Sequence, residues 1–403
     1  MKTIKLSILA LLFSSLAFAQ FETTKDQLPE FDGVKVEMGG DFTLQFQGLT
    51  NENKLNNLWD LGKDFNLPTA NLDVRAYFAE GVSLRLSNYM SSRHHNEAWV
   101  MGGTLQIDNL DFVSPGFLSE LMKVAQIRVG YDMPNYGDTH FRRSDNGRVI
   151  NNEFVGNYIM DSFTTEPYAE IAIMPESGFI GVAGLTNGDL NQNPISEGKD
   201  YGATLYGKLG FDKEVSDDLR LRLTGSFASS GSKDNGGYLF SGDRTGARYY
   251  YVMVESGFNG RTPNDNFRSG RWVPRFKQHS SMQINPFVKV GDLELYGVYE
   301  TVKDKSDKAG QYKQVAGDAV YRFGTDKKLY IATRINKVTS NQTSTSDDEV
   351  VSRFALSGGW FLTPNILAKL EIVNQSYTGA GFDGGLYEDG KFKGFVFETT
   401  ISF

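Results

Sequence analysis

From Phe42 onward the chain repeats one pattern: apolar residues at every second position, with polar or charged residues between them. A period of two is the signature of an extended strand with one apolar and one polar face. Phe42-Thr43-Leu44-Gln45-Phe46-Gln47 is the first clear run, and residues 72–78 and 82–87 follow, separated only by Ala79-Glu80-Gly81, which reads as a tight hairpin. The pattern returns at residues 104–108, 124–131, 168–174, 180–185, 203–211, 219–227, 248–254, 282–290, 293–302, 314–323, 329–338, 352–361, 366–377 and 392–403, about seventeen runs in all. Such a chain is all-β.

The connections narrow the architecture. Residues 175–178, 291–292, 324–328 and 363–365 are tight turns, whereas residues 50–66, 89–98, 187–200, 303–310, 340–348 and 378–391 are long and polar. Short turns at one end and long loops at the other predict a transmembrane antiparallel β-barrel with short periplasmic turns and long extracellular loops. A soluble antiparallel sheet shares the alternation but not this asymmetry. Strands that carry Arg75, Arg85, Arg128, Arg220, Arg222 or Arg334 between apolar neighbours need one wet face, and a closed barrel supplies it without an unpaired edge in lipid. Both termini at the periplasmic end require an even strand count. Counting residues 237–240 or 268–276 as an extra strand paired with residues 248–254 gives eighteen, with sixteen as the alternative.

The first nineteen residues differ from the rest. Lys2 and Lys5 precede an apolar stretch from Leu6 to Phe13, and Ala17-Phe18-Ala19 offers a small-x-small cleavage site before Gln20. Residues 1–19 therefore read as a secretory signal peptide and residues 20–403 as the exported barrel. Loss of Lys2 and Lys5 takes the formal net charge from -8 to about -10, which provides no basic footprint for nucleic acid. With no Cys in the chain, thiolate metal sites and cysteine nucleophiles are excluded.

The C-terminus is the most specific local feature. Phe395, Phe397, Thr399, Ile401 and Phe403 share one face of the last run, and the sequence stops on Phe403. This resembles the terminal signature by which bacterial outer-membrane proteins engage their barrel-assembly machinery, with Phe397, Ile401 and Phe403 as its residues. Together with His140-Phe141-Arg142-Arg143-Ser144-Asp145-Asn146-Gly147, Gly156-Asn157-Tyr158-Ile159-Met160-Asp161, Arg248-Tyr249-Tyr250-Tyr251-Val252-Met253 and Gln283-Ile284-Asn285-Pro286-Phe287-Val288-Lys289, it makes the chain resemble an outer-membrane porin of the Bacteroidota type, in the broad superfamily of the phosphate-selective O/P porins. The resemblance implies an outer-membrane location, contact with outer-membrane lipid, passive diffusion of small hydrophilic solutes or ions, and a homotrimer as one assembly state. Phosphate specificity does not carry over with it.

Residues 133–163 form the longest early connection and carry Arg142, Arg143, Asp145, Arg148 and Glu153. In porins a loop at this place folds into the lumen, so these five are the expected constriction charges; a solvated external loop is the alternative. The apolar Phe154, Val155, Tyr158, Ile159 and Met160 need somewhere to pack, which favours the lumen. Asp73, Arg75, Arg85, Asp108, Arg128, Glu170, Arg220 and Arg222 fall on inward faces and are the expected pore-lining charges. No catalytic, metal or cofactor site is expected: His94, His95, His140 and His279 lie in predicted loops without metal-type spacing. A non-conducting barrel that serves as a structural or docking component of a secretion or uptake complex is the competing reading.

Overall fold

The computed structural model describes residues 21–22, 31–90, 98–144, 149–189, 197–231, 234, 238–240, 249–257 and 270–403. The proposed signal peptide, Gln20, Asp145, Arg148, His94, His95 and Arg248 lie outside the described residues.

Sixteen strands among the described residues close into one antiparallel barrel: β1 (Lys35–Glu52), β2 (Asp64–Ala79), β3 (Val82–Tyr89), β4 (Trp99–Ile107), β5 (Ala125–Asp132), β6 (Glu166–Ile173), β7 (Phe179–Thr186), β8 (Thr204–Ser216), β9 (Leu219–Ser230), β10 (His279–Val290), β11 (Leu293–Asp304), β12 (Gln311–Phe323), β13 (Leu329–Asn341), β14 (Glu349–Thr363), β15 (Ile366–Thr378) and β16 (Lys391–Ser402). The sequence's first choice of eighteen is corrected to its alternative, sixteen. The surplus run was residues 248–254: of its described residues Tyr249, Tyr250, Val252, Met253 and Val254 are buried and only Tyr251 is exposed, so the segment does not alternate between a wet and an apolar face and packs as irregular chain inside the barrel. Residues 238–240 form a single 3-10 turn instead of the extra strand.

Each strand pairs with its sequence neighbour, and β1 closes on β16 from Asp41↔Ser402 to Glu52↔Lys391. At the seam the Phe403 amide donates to the Gly40 carbonyl at 3.0 Å and the Gly40 amide to the Phe403 carbonyl at 2.9 Å. The Phe403 ring lies over Gly40, where a Cβ would sit 3.1 Å from the ring's tip and 2.5 Å from the Asn71 carbonyl, so a glycine is needed for close approach.

Seven connections lie at the end shared with the termini, and six are tight; residues 108–124 are longer and carry the short helix α1 (Ser119–Met122). The other end carries eight long connections. The outer surface is apolar: Leu209, Leu223, Ile335, Phe354 and Ile372 are all at least half exposed. Phe78, Phe179, Phe211, Tyr321, Phe323, Trp360 and Phe403 form an exposed aromatic row at the tight-turn end. That arrangement suits hydrocarbon bordered by an interfacial girdle. Tyr249, Tyr250 and Phe361 are buried inside the barrel, whereas Trp360, the neighbour of Phe361, faces out.

Candidate functional site: a lumen filled from one side

The described residues of the long connection between β5 and β6, 133–144 and 149–165, fold into the barrel. Irregular backbone at this depth is tolerable where its polar groups find partners, and the inner wall from β10 to β16 supplies them. The Asp138 amide donates to Gln283 Oε1 at 3.1 Å and Asn285 Oδ1 at 3.0 Å. The Ile159 amide donates to Asn336 Oδ1 at 2.7 Å, and the Met160 amide to Gln314 Oε1 at 2.9 Å. Glu371 Oε2 accepts from the amides of Val155 at 2.8 Å and Gly156 at 3.2 Å. Donation runs the other way from Lys369 Nζ to the Phe154 carbonyl at 2.9 Å and from Arg334 Nη1 to the Gly156 carbonyl at 2.9 Å. Every second residue of these strands faces inward, and Gln, Asn, Glu and Arg at those positions replace the water that an empty lumen would hold.

Apolar packing completes the attachment. Val155, Ile159 and Met160 lie in one buried cluster with Tyr249, Val252, Met253, Phe276 and Phe392, so residues 249–254 and 270–276 fill the lumen beside the first insertion. The Trp272 amide donates to the Ile159 carbonyl at 2.9 Å and joins the two. Nearer the tight turns, Phe154 packs with Val320, Tyr330, Phe361 and Leu367. Gly137, at φ 66°, sits where a Cβ would lie 2.0 Å from Gln283 Oε1; the left-handed turn that starts the inward path favours glycine, and a side chain there would displace Gln283 from the Asp138 amide.

Of the expected constriction charges, the three among the described residues, Arg142, Arg143 and Glu153, occupy this interior. Arg142 is 1% exposed, with Nη2 2.7 Å from Glu153 Oε2 and 4.0 Å from Asp318 Oδ2, and its guanidinium lies 4.9 Å from the Tyr296 ring centroid. Glu153 also accepts from Arg322 Nη2 at 2.6 Å. Arg143 is ion-paired with Asp161 and stacks over Phe163 at 4.0 Å. These groups hold the insertion to itself and to the wall; the described members of the set do not stand as bare charges in a water path. Burial by itself pushes the Glu153 carboxyl up, but Arg142 and then Arg322 more than offset it and hold it below the usual carboxylate range. Asp138 shows the same balance: burial raises its pKa, and Lys208 followed by Arg222 brings it well below normal.

The pore-lining set divides in two. On the opposite wall, Arg85 and Asp73 form a 3.1 Å pair with side chains 29% and 23% exposed, and Arg128 pairs with Glu170 at 3.0 Å with its own side chain 28% exposed. Arg75 stands opposite Arg85 in register, a like-charge neighbour that water and Asp73 make tolerable. Asp108 and Glu170 are buried, Asp108 accepting from Gln126 Nε2 at 3.0 Å. Arg220 and Arg222 belong to a separate cluster on β9: both reach Asp212, and Arg222 Nε also donates to Asp138 Oδ2 at 2.8 Å. At the long-loop end, a cavity of about 380 Å³ is lined by Gln47, Trp59, Asp64, Asn66, Tyr250 and Tyr251. Sequence reasoning missed Glu371, Lys369, Asp318 and Lys208 as structural anchors; the signal available was their polar character at inward positions of otherwise apolar-alternating strands.

On the outside, Phe395, Phe397, Ile401 and Phe403 are exposed, while Val396, Glu398 and Thr400 are buried on the inner face of β16.

No family model matches the sequence, and no curated protein is detectably similar to it. Among solved structures, the chain is similar to the outer-membrane channel DcaP of Acinetobacter baumannii at 11% identity and a TM-score of 0.58, covering 92% of this chain and 98% of that one. It is similar to an anion-selective porin from Comamonas acidovorans at 11% identity and TM-score 0.56, over 92% and 100% of the two chains. A trimer form of OmpT, an outer-membrane protein of Vibrio cholerae, aligns at 12% identity and TM-score 0.52, again over 92% and 100%. At these identities the likeness establishes the barrel fold.

Proposed function

We propose that this chain is an exported outer-membrane porin, a passive diffusion channel for small hydrophilic solutes or ions. The carrying observation is the lopsided filling of the lumen: the insertion is bound to the β10–β16 wall, while Asp73, Arg75, Arg85 and Arg128 retain solvent on β2, β3 and β5. Solutes pass along that wetter wall, between cations and carboxylates whose field is strong beside low-dielectric packing. Residues 133–163 act as the constriction by volume and position, and Arg142, Arg143 and Glu153 act by anchoring it. The aromatic termination at Phe403 serves barrel assembly, residues 1–19 serve export, and a homotrimer is consistent with the trimer form of one structural neighbour. The Bacteroidota-type assignment rests on the sequence words quoted above.

Purified protein in a planar bilayer tests the reading. Stepwise ohmic conductance supports a channel; correctly folded protein with a flat trace refutes it. The flat trace is what the docking-component reading predicts, and one observation favours that reading: the buried apolar cluster of Val155, Ile159, Met160, Val252 and Met253 inside the barrel.

A further inference from the structure

Phe21 and Glu22, which precede the barrel in sequence, lie inside it. Glu22 Oε1 accepts from Lys208 Nζ at 2.7 Å and from Asn135 Nδ2 at 3.3 Å, and Glu22 Oε2 accepts from Arg222 Nη2 at 2.5 Å. The Lys208 and Arg222 side chains have no solvent exposure. Phe21 is 3% exposed, with ring centroids of Phe287, Tyr296 and Phe141 at 5.1, 6.0 and 6.1 Å, and the Arg222 guanidinium 4.6 Å from its own centroid.

The charges show what Glu22 does there. Lys208, Arg220 and Arg222 face Asp138, Asp212 and Glu22. Asp212 belongs to β8 and Asp138 to the insertion, both built into the barrel. The third carboxylate alone comes from the N-terminal segment, and without it the cluster carries one unbalanced positive charge beside an empty ring-lined pocket. Each cation keeps a carboxylate partner without Glu22, in Asp138 or Asp212, but three cations would then share two carboxylates in a largely buried cluster, and that surplus positive charge favours a monoanion. The adjoining pocket demands a flat apolar group.

We propose that Lys208, Arg222 and Asn135, with the pocket of Phe141, Phe287 and Tyr296, form a binding site for small aryl carboxylates, held in this structure by the chain's own Phe21-Glu22. A tethered occupant competes at a high effective concentration and keeps free ligand out. This deepens the channel reading by naming a solute class, and it rests on that reading only for how solute arrives. Binding in detergent is measured without conductance, so the two ideas fail separately.

The test is calorimetric titration of 4-phenylbutyrate into the full chain in detergent. The Phe21→Ala/Glu22→Gln variant binds it at least tenfold more tightly than the unaltered protein, and butyrate, lacking the ring, at least tenfold more weakly than phenylbutyrate. Adding Lys208→Met removes the gain. Equal binding by the unaltered and double-variant proteins, no binding by the double variant, or binding indifferent to Lys208→Met overturns the proposal. If the double variant does not give a heat-modifiable barrel, Glu22→Gln alone is titrated under the same criteria.

Discussion

Reversing both charges at Arg142 and Arg143 tests how the insertion is held. If these residues lay on a solvated surface, Arg142→Glu/Arg143→Glu would leave folding untouched and alter only ion preference. The structure predicts otherwise. Arg142 is 2.7 Å from Glu153 and 4.0 Å from Asp318, and Arg143 is paired with Asp161, all inside the barrel. Breaking one buried pair costs about 3–5 kcal/mol because the remaining charge is left without a counter-ion. Two such pairs set on the order of 6–10 kcal/mol against docking of the insertion, and reversal adds repulsion. The β-ladder uses neither residue, so the barrel still forms. The expected outcome is normal heat-modifiable migration together with new proteinase K cleavage within residues 133–163, mapped by mass spectrometry. Arg142→Lys/Arg143→Lys, which keeps the charges, shows less cleavage. Protection of the reversed variant equal to that of the unaltered protein would show that the buried pairs do not hold the insertion.

Other outcomes follow from the same geometry. Because Glu153 and Asp138 are held below the usual carboxylate range, their contribution to docking is complete above the unfolded-state pKa near 4 and is lost as pH falls through the lower folded values; pepsin cleavage within residues 133–163 should rise steeply between about pH 4 and pH 2, and a profile flat over that window removes the argument. Arg75→Glu/Arg85→Glu on the wetter wall should move the zero-current potential in a salt gradient towards cation preference, and an unmoved potential in a conducting variant would place the solute path elsewhere. Ile335, mid-strand and 65% exposed on the outer face, should cost about 2–4 kcal/mol of membrane stability when changed to Arg, read as a lower urea midpoint in liposomes; an unchanged midpoint contradicts the lipid-facing assignment. Deleting Phe403 should reduce insertion while Ser402→Ala does not, and equal insertion of the two would sink the role given to the terminal aromatic.

Much of the fold is legible in the sequence because alternation reports a local fact, the side of a sheet on which each residue stands. Sixteen of the runs are strands for that reason. Residues 248–254 mislead because their apolar residues are buried by tertiary packing inside the barrel, which a one-dimensional pattern cannot separate from a strand with a lipid face. The site was less legible. The sequence shows that residues 133–163 carry both charges and hydrophobes, but Glu153 lies 11 residues from Arg142 and its second cation, Arg322, is 169 residues from it. Whether an arginine faces water or a carboxylate depends on such distant partners. Gln283 and Asn285 stand in a stretch that resembles a porin family, but their physical role, accepting the Asp138 amide, depends on a loop some 145 residues away in sequence.

The seam between β1 and β16 has a consequence for the chain's life history. Thr43 and Thr400 share a 3.0 Å hydrogen bond although 357 residues separate them. Contacts of such sequence separation form late, since the entropy of the whole intervening loop must be given up before they repay it. Until Phe403 arrives, every partial chain is an open ribbon with two unsatisfied borders, each a template for joining another copy edge to edge. The final dozen residues therefore act as a fastener: a chain truncated just before them has fifteen of the sixteen described strands and none of the closure. Its fate is set by how quickly those borders are shielded.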